Sequence, residues 1–260
     1  GGPGLAGWPS VCHASALTGN RADSGAGGHY STLYDCAVAG NRATYSGGGA
    51  YQCTASNATF TGNTAGDGGG ALGGAFHDCT FTSNYVSNVG GAARQAALTN
   101  CLLQGNRAAS FGGAGYDASF INCLVTGNMS SAYGGGAMYG THYNSVFAGN
   151  RAQEYGGAAY NATLFNCTLT GNTAFRGGGA SGGTLHNCIA YYNTAATGAN
   201  YYGSVLTYSC AAPRAPGAGN TDAAPGIVSV ANPRLAAESP CINAGSNMAW
   251  MSAATAIEGE

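Results

Sequence analysis

One feature limits this chain more than any other. An Asn returns at a nearly constant step, as Asn20, Asn41, Asn63, Asn84, Asn106, Asn128, Asn150, Asn172 and Asn193, at intervals of 21, 22, 21, 22, 22, 22, 22 and 21 residues. The stretch Leu98–Asn128 holds the unit twice: Asn-Cys-x-apolar-x-Gly-Asn, then Arg-Ala or its like and a glycine cluster, then Asn-Cys again. A repeat of about this length restricts the chain to architectures that stack one short unit on the next.

Five residues before each Asn runs a column of small residues, Ser15, Cys36, Ala58, Cys79, Cys101, Cys123, Ser145, Cys167 and Cys188, and Cys210 continues that count. Two residues further on stand Leu17, Val38, Phe60, Phe81, Leu103, Val125, Phe147, Leu169 and Ala190. Spacing of i and i+2 is strand alternation, so both columns should face inward. After the Asn comes Arg or Thr and then Ala (Ala22, Ala43, Ala65, Ala108, Ala152, Ala174, Ala195), followed by a turn such as Gly47–Gly49 or Gly134–Gly136. Such a unit holds short strands and turns but no amphipathic helix. It predicts an all-β, right-handed parallel β-helix (β-solenoid) with three strands per 21–22-residue coil and about nine to ten coils, spaced by ~4.8 Å. An inward Asn can hydrogen-bond its copies above and below, which removes the cost of burying its amide.

The step also separates this repeat from its rivals. A leucine-rich repeat needs a Leu-x-x-Leu-x-Leu ladder, and a calcium-binding nonapeptide repeat needs an acid in every turn, whereas Asp67 is the one acid beside a glycine turn. Beyond Asn193 the period fades. Pro213, Pro216, Pro225, Pro233 and Pro240 mark a change of texture, so residues 1–210 read as the solenoid and 211–260 as a non-repeating segment packed on the last coils or on a neighbouring subunit.

Composition narrows the partners. Only 7% of residues are charged and the net charge is −2, which gives no electrostatic handle for nucleic acid. No apolar run approaches the ~18 residues of a membrane span, and no signal peptide opens the chain, so that Gly1 reads as a processed start or as the start of a trimmed precursor. Ten Cys suit an oxidising, extracellular setting.

Several of these residues resemble a known family. Phe60-Thr-Gly-Asn63, Phe81-Thr-Ser-Asn84 and Phe147-Ala-Gly-Asn150, alternating with Gly-Gly-Ala, are similar to the paired motifs of polymorphic outer-membrane protein repeats. The segment Asn232–Gly245 resembles the ending of bacterial surface proteins with pectate-lyase-like β-helices, among them the choice-of-anchor Q proteins. The resemblance runs from about Leu17 to Gly245 and implies a right-handed parallel β-helix, secreted or displayed on a bacterial surface.

Polysaccharide-cleaving β-helices need carboxylates clustered at one level. The acids here are scattered: Asp35 and Asp78 share a column two coils and thus about 10 Å apart, while Asn122 and Asn166 hold the same place uncharged. Asn220-Thr-Asp222 is similar to one polygalacturonase motif, but its companion motifs are missing. No catalytic residue, metal site or cofactor is therefore expected. The Cys79, Cys101, Cys123, Cys167 and Cys188 ladder reads as small buried thiols, because in-register side chains do not converge tetrahedrally on a metal. Cys12, Cys53 and Cys241, outside the column, are the disulfide candidates, with Cys210–Cys241 or Cys12 to an early-coil Cys as pairings.

Two aromatic columns should face outward: Tyr30, Tyr51, Tyr116, Met138 and Tyr160 ten residues after the Asn, and Phe111, Tyr133 and Tyr155 five after it. They suit a protein or glycan contact surface, or a ladder that only stiffens the sheet. Arg21, Arg42, Arg107 and Arg151 share an outward turn column. Because a solenoid exposes strand edges at both mouths, and Gly1–Ser10 offers no amphipathic cap, the chain reads as a non-catalytic extracellular structural protein. Its expected partner is itself, head to tail, the Ala211–Glu260 segment engaging the next subunit's first coil in a filament or surface layer. The competing readings are an adhesin and a carbohydrate-binding or polysaccharide-degrading β-helix that engages a surface glycan.

Overall fold

A computed structural model describes residues 10–229, 234–242 and 244–246. The chain winds as a parallel β-solenoid whose coils are bent at single residues with left-handed backbone. One corner is held by Asp35, Asn57, Asp78, Asn100, Asn122, Asn144, Asn166 and Asn187, with φ between 49° and 56°. Asp and Asn tolerate that conformation better than other residues with a Cβ. The carboxylates of Asp35 and Asp78 are thus corner formers in this chain. A second corner falls on the residue that precedes each ladder Asn, usually a Gly, as at Gly105 (φ 63°) and Gly127 (φ 62°), but Ser83 before Asn84 and Tyr192 before Asn193.

The corners divide each coil into four strands rather than the expected three. The first sheet runs from Val11–His13 to Val205–Thr207, the second from Ala16–Thr18 to Cys210–Ala211, the third from Arg21–Ser24 to Thr194–Thr197, and the fourth from Gly28–His29 to Tyr201–Tyr202. The first two hold ten strands each and the others nine. The extra division comes from a third left-handed residue, such as Asp117 (φ 50°), which parts Gly115–Tyr116 from Ser119–Ile121. Tyr30, Gln52, Gln95, Tyr139 and Asn161 hold the same corner elsewhere. So mixed a set carries no sequence signal.

Every sheet is parallel, with equal positions paired from coil to coil, for example Leu98↔Phe120, Leu103↔Val125, Ala108↔Ser130 and Ala93↔Gly115; in the third sheet the register shifts by one residue between Ala22 and Ser24. The large side chains sit between the first two sheets. Phe60 stacks on Phe81 at 4.6 Å, and Phe76 meets both edge-on at 5.4 and 5.3 Å. Ala from the third and fourth sheets lines the narrow side. There the glycine turn passes so close to its copy that a Cβ on Gly113 would lie 2.2 Å from the Gly135 carbonyl.

At the C-terminal mouth the chain folds back over its own last coil. Cys210 bridges Thr221 in parallel, Tyr208 N–H donates to Ala218 O (2.8 Å), and Ala215 joins the buried core. The described part of the terminal segment therefore lies on its own solenoid. The N-terminal cap expectation concerns Gly1–Ser10, of which all but Ser10 lie outside the described residues.

Candidate contact surface

From Asn41 to Asn193 the Asn ladder is fully hydrogen-bonded. Asn106 accepts at Oδ1 from the N–H (3.0 Å) and Nδ2 (2.9 Å) of Asn84; its own Nδ2 donates to Asn128 Oδ1 (3.0 Å) and Phe81 O (2.9 Å). Asn41, Asn63, Asn84, Asn128, Asn150, Asn172 and Asn193 follow the same plan. Both amide hydrogens and both lone pairs of each are used, so the ladder is a spine with no spare group for a ligand. Its last rungs break the period. Asn193 donates to Asn200 Oδ1 (3.1 and 3.2 Å), and in the neighbouring Cys and Ser column Asn220 accepts from Ser209 N–H (3.0 Å) while donating to Leu206 O (2.8 Å). Asn220 is thus a buried closing residue at the last coil.

The Cys column is a second ladder of short donors. Cys79, Cys101, Cys123, Cys167 and Cys188 each donate to the carbonyl two residues earlier at 3.1–3.3 Å, and Ser145 does so at 2.8 Å. This shared role explains why Ser and Cys exchange freely. Burial pushes the Cys167 thiol well up, and contacts with Cys123 and Cys79 followed by burial push Cys101 up. The column ends on Ser209 rather than Cys210, since Cys210 pairs with Ile189 one place further on. Cys53, expected to be free for a disulfide, is buried at another corner and donates to Tyr51 O (3.4 Å).

The aromatic columns come together across the glycine turn. Val89, Phe111, Tyr133, Tyr155 and Arg176 bridge coil to coil on its near side. Arg94, Tyr116, Met138, Tyr160, Ser181 and Tyr202 follow one another in register on its far side. The two rows interlock into one ridge. Phe111 stacks on Tyr133 (5.1 Å, 18°), Tyr133 on Tyr160 (4.8 Å, 25°), and Tyr155 lies 6.4 Å from Tyr202. Arg176 donates to Tyr155 Oη (2.7 Å) and lies 5.6 Å from the rings of Tyr155, Phe175 and Tyr202. Arg94 forms an ion pair with Asp67 and lies 5.8 Å from the Tyr116 ring centre. The Glu154 carboxylate, beside Tyr133, raises that phenol above its ordinary range.

No protein-family model and no curated protein compared with this chain gives a match.

Two members of one aromatic column depart from the counting by Asn. Tyr51 pairs with His29, not Tyr30, because the shorter coil loses its residue before the glycine turn; Tyr30 falls on the next corner, 52% exposed. Met138 is buried between its neighbours. Arg21, Arg42, Arg107 and Arg151 do share one outward ladder of the third sheet, interrupted by Thr64, Tyr85 and Met129. Arg21 and Arg42 border a shallow concavity of about 450 Å³ with Asp23 and Thr44.

One buried group escaped the pattern. His142 follows Phe120 in the interior row of the first sheet, fully buried, its ring 4.7 Å from Phe120 and 5.4 Å from Phe147. Its Nε2 faces Tyr139 O (3.2 Å) and its Nδ1 has no partner. Burial lowers its pKa to about 4. Its interior position is the single signal that a count along the first sheet would have supplied.

Proposed function

We propose that this chain is a non-catalytic extracellular β-solenoid, a structural or adhesive protein that self-associates sideways through its aromatic ridge. The observation that carries the reading is the interlocked row from Phe111 to Tyr202, a rigid outward face of phenols and guanidinium groups running along several coils. Aromatic and Arg side chains supply much of the binding energy at protein interfaces. Arg176 and Glu154 lie on the same ridge, so the patch carries both signs and complements a second copy turned by a two-fold axis.

Two features favour side-to-side contact over the alternatives. The terminal segment expected to engage a neighbour's first coil instead crosses its own last coil, which weighs against head-to-tail growth through that segment. Glycan platforms present ring faces, whereas Phe111, Tyr133 and Tyr160 cover one another's faces and offer edges and hydroxyls. Sedimentation equilibrium of the wild type against a Tyr133→Ala/Tyr155→Ala/Tyr160→Ser variant tests the reading. Concentration-dependent association of the wild type that the variant loses is expected. A wild type that stays monomeric to about 100 μM, well above the Kd of a specific contact, or a variant that associates equally well, overturns it.

A further inference from the structure

We propose that Cys210 and Cys241 form a disulfide that ties the terminal segment onto the last coil of the solenoid. This inference is independent of the ridge.

Both thiols line one small cavity of about 70 Å³ at the C-terminal mouth, together with Cys188, Tyr208 and Thr221, and the Cys188 thiol is taken up by the Leu164 and His186 carbonyls. Cys210 is 3% exposed on the last strand of the second sheet; its Sγ donates to Ala223 O (3.1 Å) and lies within hydrogen-bonding reach of the Cys241 thiol. Cys241 is held there from both sides. Upstream, Ile227 bridges Leu235 and Ala236 N–H donates to Gly226 O (2.8 Å). Downstream, Ser246 N–H donates to Asn187 Oδ1 (2.9 Å), and Asn187 Nδ2 returns a bond to Ser246 O (2.7 Å). The downstream clip ties the segment to the solenoid, the upstream one folds the segment on itself, and Cys241 falls between them.

The ladder thiols differ in geometry. Their side chains point the same way from strands ~4.8 Å apart, whereas a disulfide wants Cβ atoms ~3.8 Å apart on converging vectors. Cys210 and Cys241 approach from two separate chain segments and face each other across the cavity.

The oxidant is a disulfide of the glutathione or protein-oxidoreductase class. The Cys241 thiolate, on the more exposed residue, attacks one sulfur of that disulfide; a mixed disulfide forms and one thiolate leaves. Cys210 then gives up its proton and attacks the Cys241 sulfur. The Cys210–Cys241 bond forms, the second external thiolate leaves, and both leaving groups take up the protons of the two cysteines. Two protein thiols are oxidised and one external disulfide is reduced to two thiols.

The experiment equilibrates the purified full chain with oxidised glutathione, blocks free thiols in denaturant, and digests with trypsin without reduction. Cleavage after Arg176, Arg214 and Arg234 puts Cys210 in residues 177–214 and Cys241 in 235–260. A cross-linked pair of these two peptides is expected, with eight of the ten thiols still free. Because Cys188 shares the first peptide, a Cys188→Ser variant must keep the link and a Cys241→Ser variant must lose it. Reduction should also speed native-state cleavage at Arg234 about tenfold in the wild type and not in Cys241→Ser. Ten free thiols after oxidation, a link that Cys188→Ser abolishes, or a link found only between two chains overturns the proposal.

Discussion

Lowering the pH should loosen the middle of the solenoid through one imidazole, and replacing it should remove most of the effect. His142 is fully buried between the first two sheets, and its pKa falls from 6.5 to about 4 because burial disfavours the charged ring; the Tyr139 carbonyl opposes this only in part. The folded state thus binds its proton more weakly than the unfolded state. The unfolded chain takes up the proton first as pH falls, so the stabilisation is whole above pH 6.5 and is lost down to about pH 4. A shift from 6.5 to about 4 corresponds to about 3 kcal/mol over the whole window, of which about 2 kcal/mol is already lost at pH 5. His142→Leu puts an apolar side chain where Leu164 sits one coil on, and it removes the unpartnered Nδ1. Urea unfolding of both proteins at pH 7.5, 6 and 5 measures the effect as the difference between them, which cancels the contribution of the carboxylates. The variant should gain on the wild type by about 2 kcal/mol between pH 7.5 and pH 5. A gap between the two proteins that does not change with pH would refute the assignment of a buried neutral histidine.

Three other outcomes follow from the same geometry. Asn106→Leu takes from a dry interior the partner of the Asn84 N–H, one of the two acceptors of Asn84 Nδ2 (which keeps Phe60 O) and the side-chain donor to the Phe81 carbonyl; at ~1 kcal/mol or more for each lost bond, the loss should reach about 3 kcal/mol, and a urea midpoint near that of the wild type would deny the ladder its role. Asn122→Gly, at an exposed left-handed corner (φ 55°), should stay within about 0.5 kcal/mol of the wild type in the same assay, because only a 3.3 Å side-chain bond to Asn100 is lost. Gly113→Ala drives a Cβ to 2.2 Å from a carbonyl of the next coil and should cost about 3 kcal/mol. Gly127→Ala, with open space around it but φ +62°, should cost only about 1–2 kcal/mol. Equal thermal shifts for the two glycine variants would contradict that ranking.

Much of the candidate surface could be read before any coordinates, and the misplacements have specific causes. Phe111, Tyr133 and Tyr155 fall in one outward column as counted, because strand alternation puts equal positions of successive coils on the same face. Tyr30 misses its column because a 21-residue coil must drop a residue somewhere, and the glycine turn, not the Asn, decides where. Cys210 misses for the same reason one coil from the end, where Ser209 takes the place. That the two aromatic columns touch is invisible in the spacing: the turn between them folds them side by side.

What the sequence determined by itself is the winding step and the inward side of its Asn, small and apolar columns, since a fixed period in small, apolar and amide residues leaves one way to hide them all. Only the tertiary structure decided how many corners each coil has, that Asn200 and Asn220 take the last rungs of the ladders, and that one histidine lies among the phenylalanines. Each of these depends on a backbone hand or on a contact between distant segments. Neither leaves a mark on the polarity pattern, because this chain fills one and the same left-handed corner with Asp, Asn, Gln or Tyr from coil to coil.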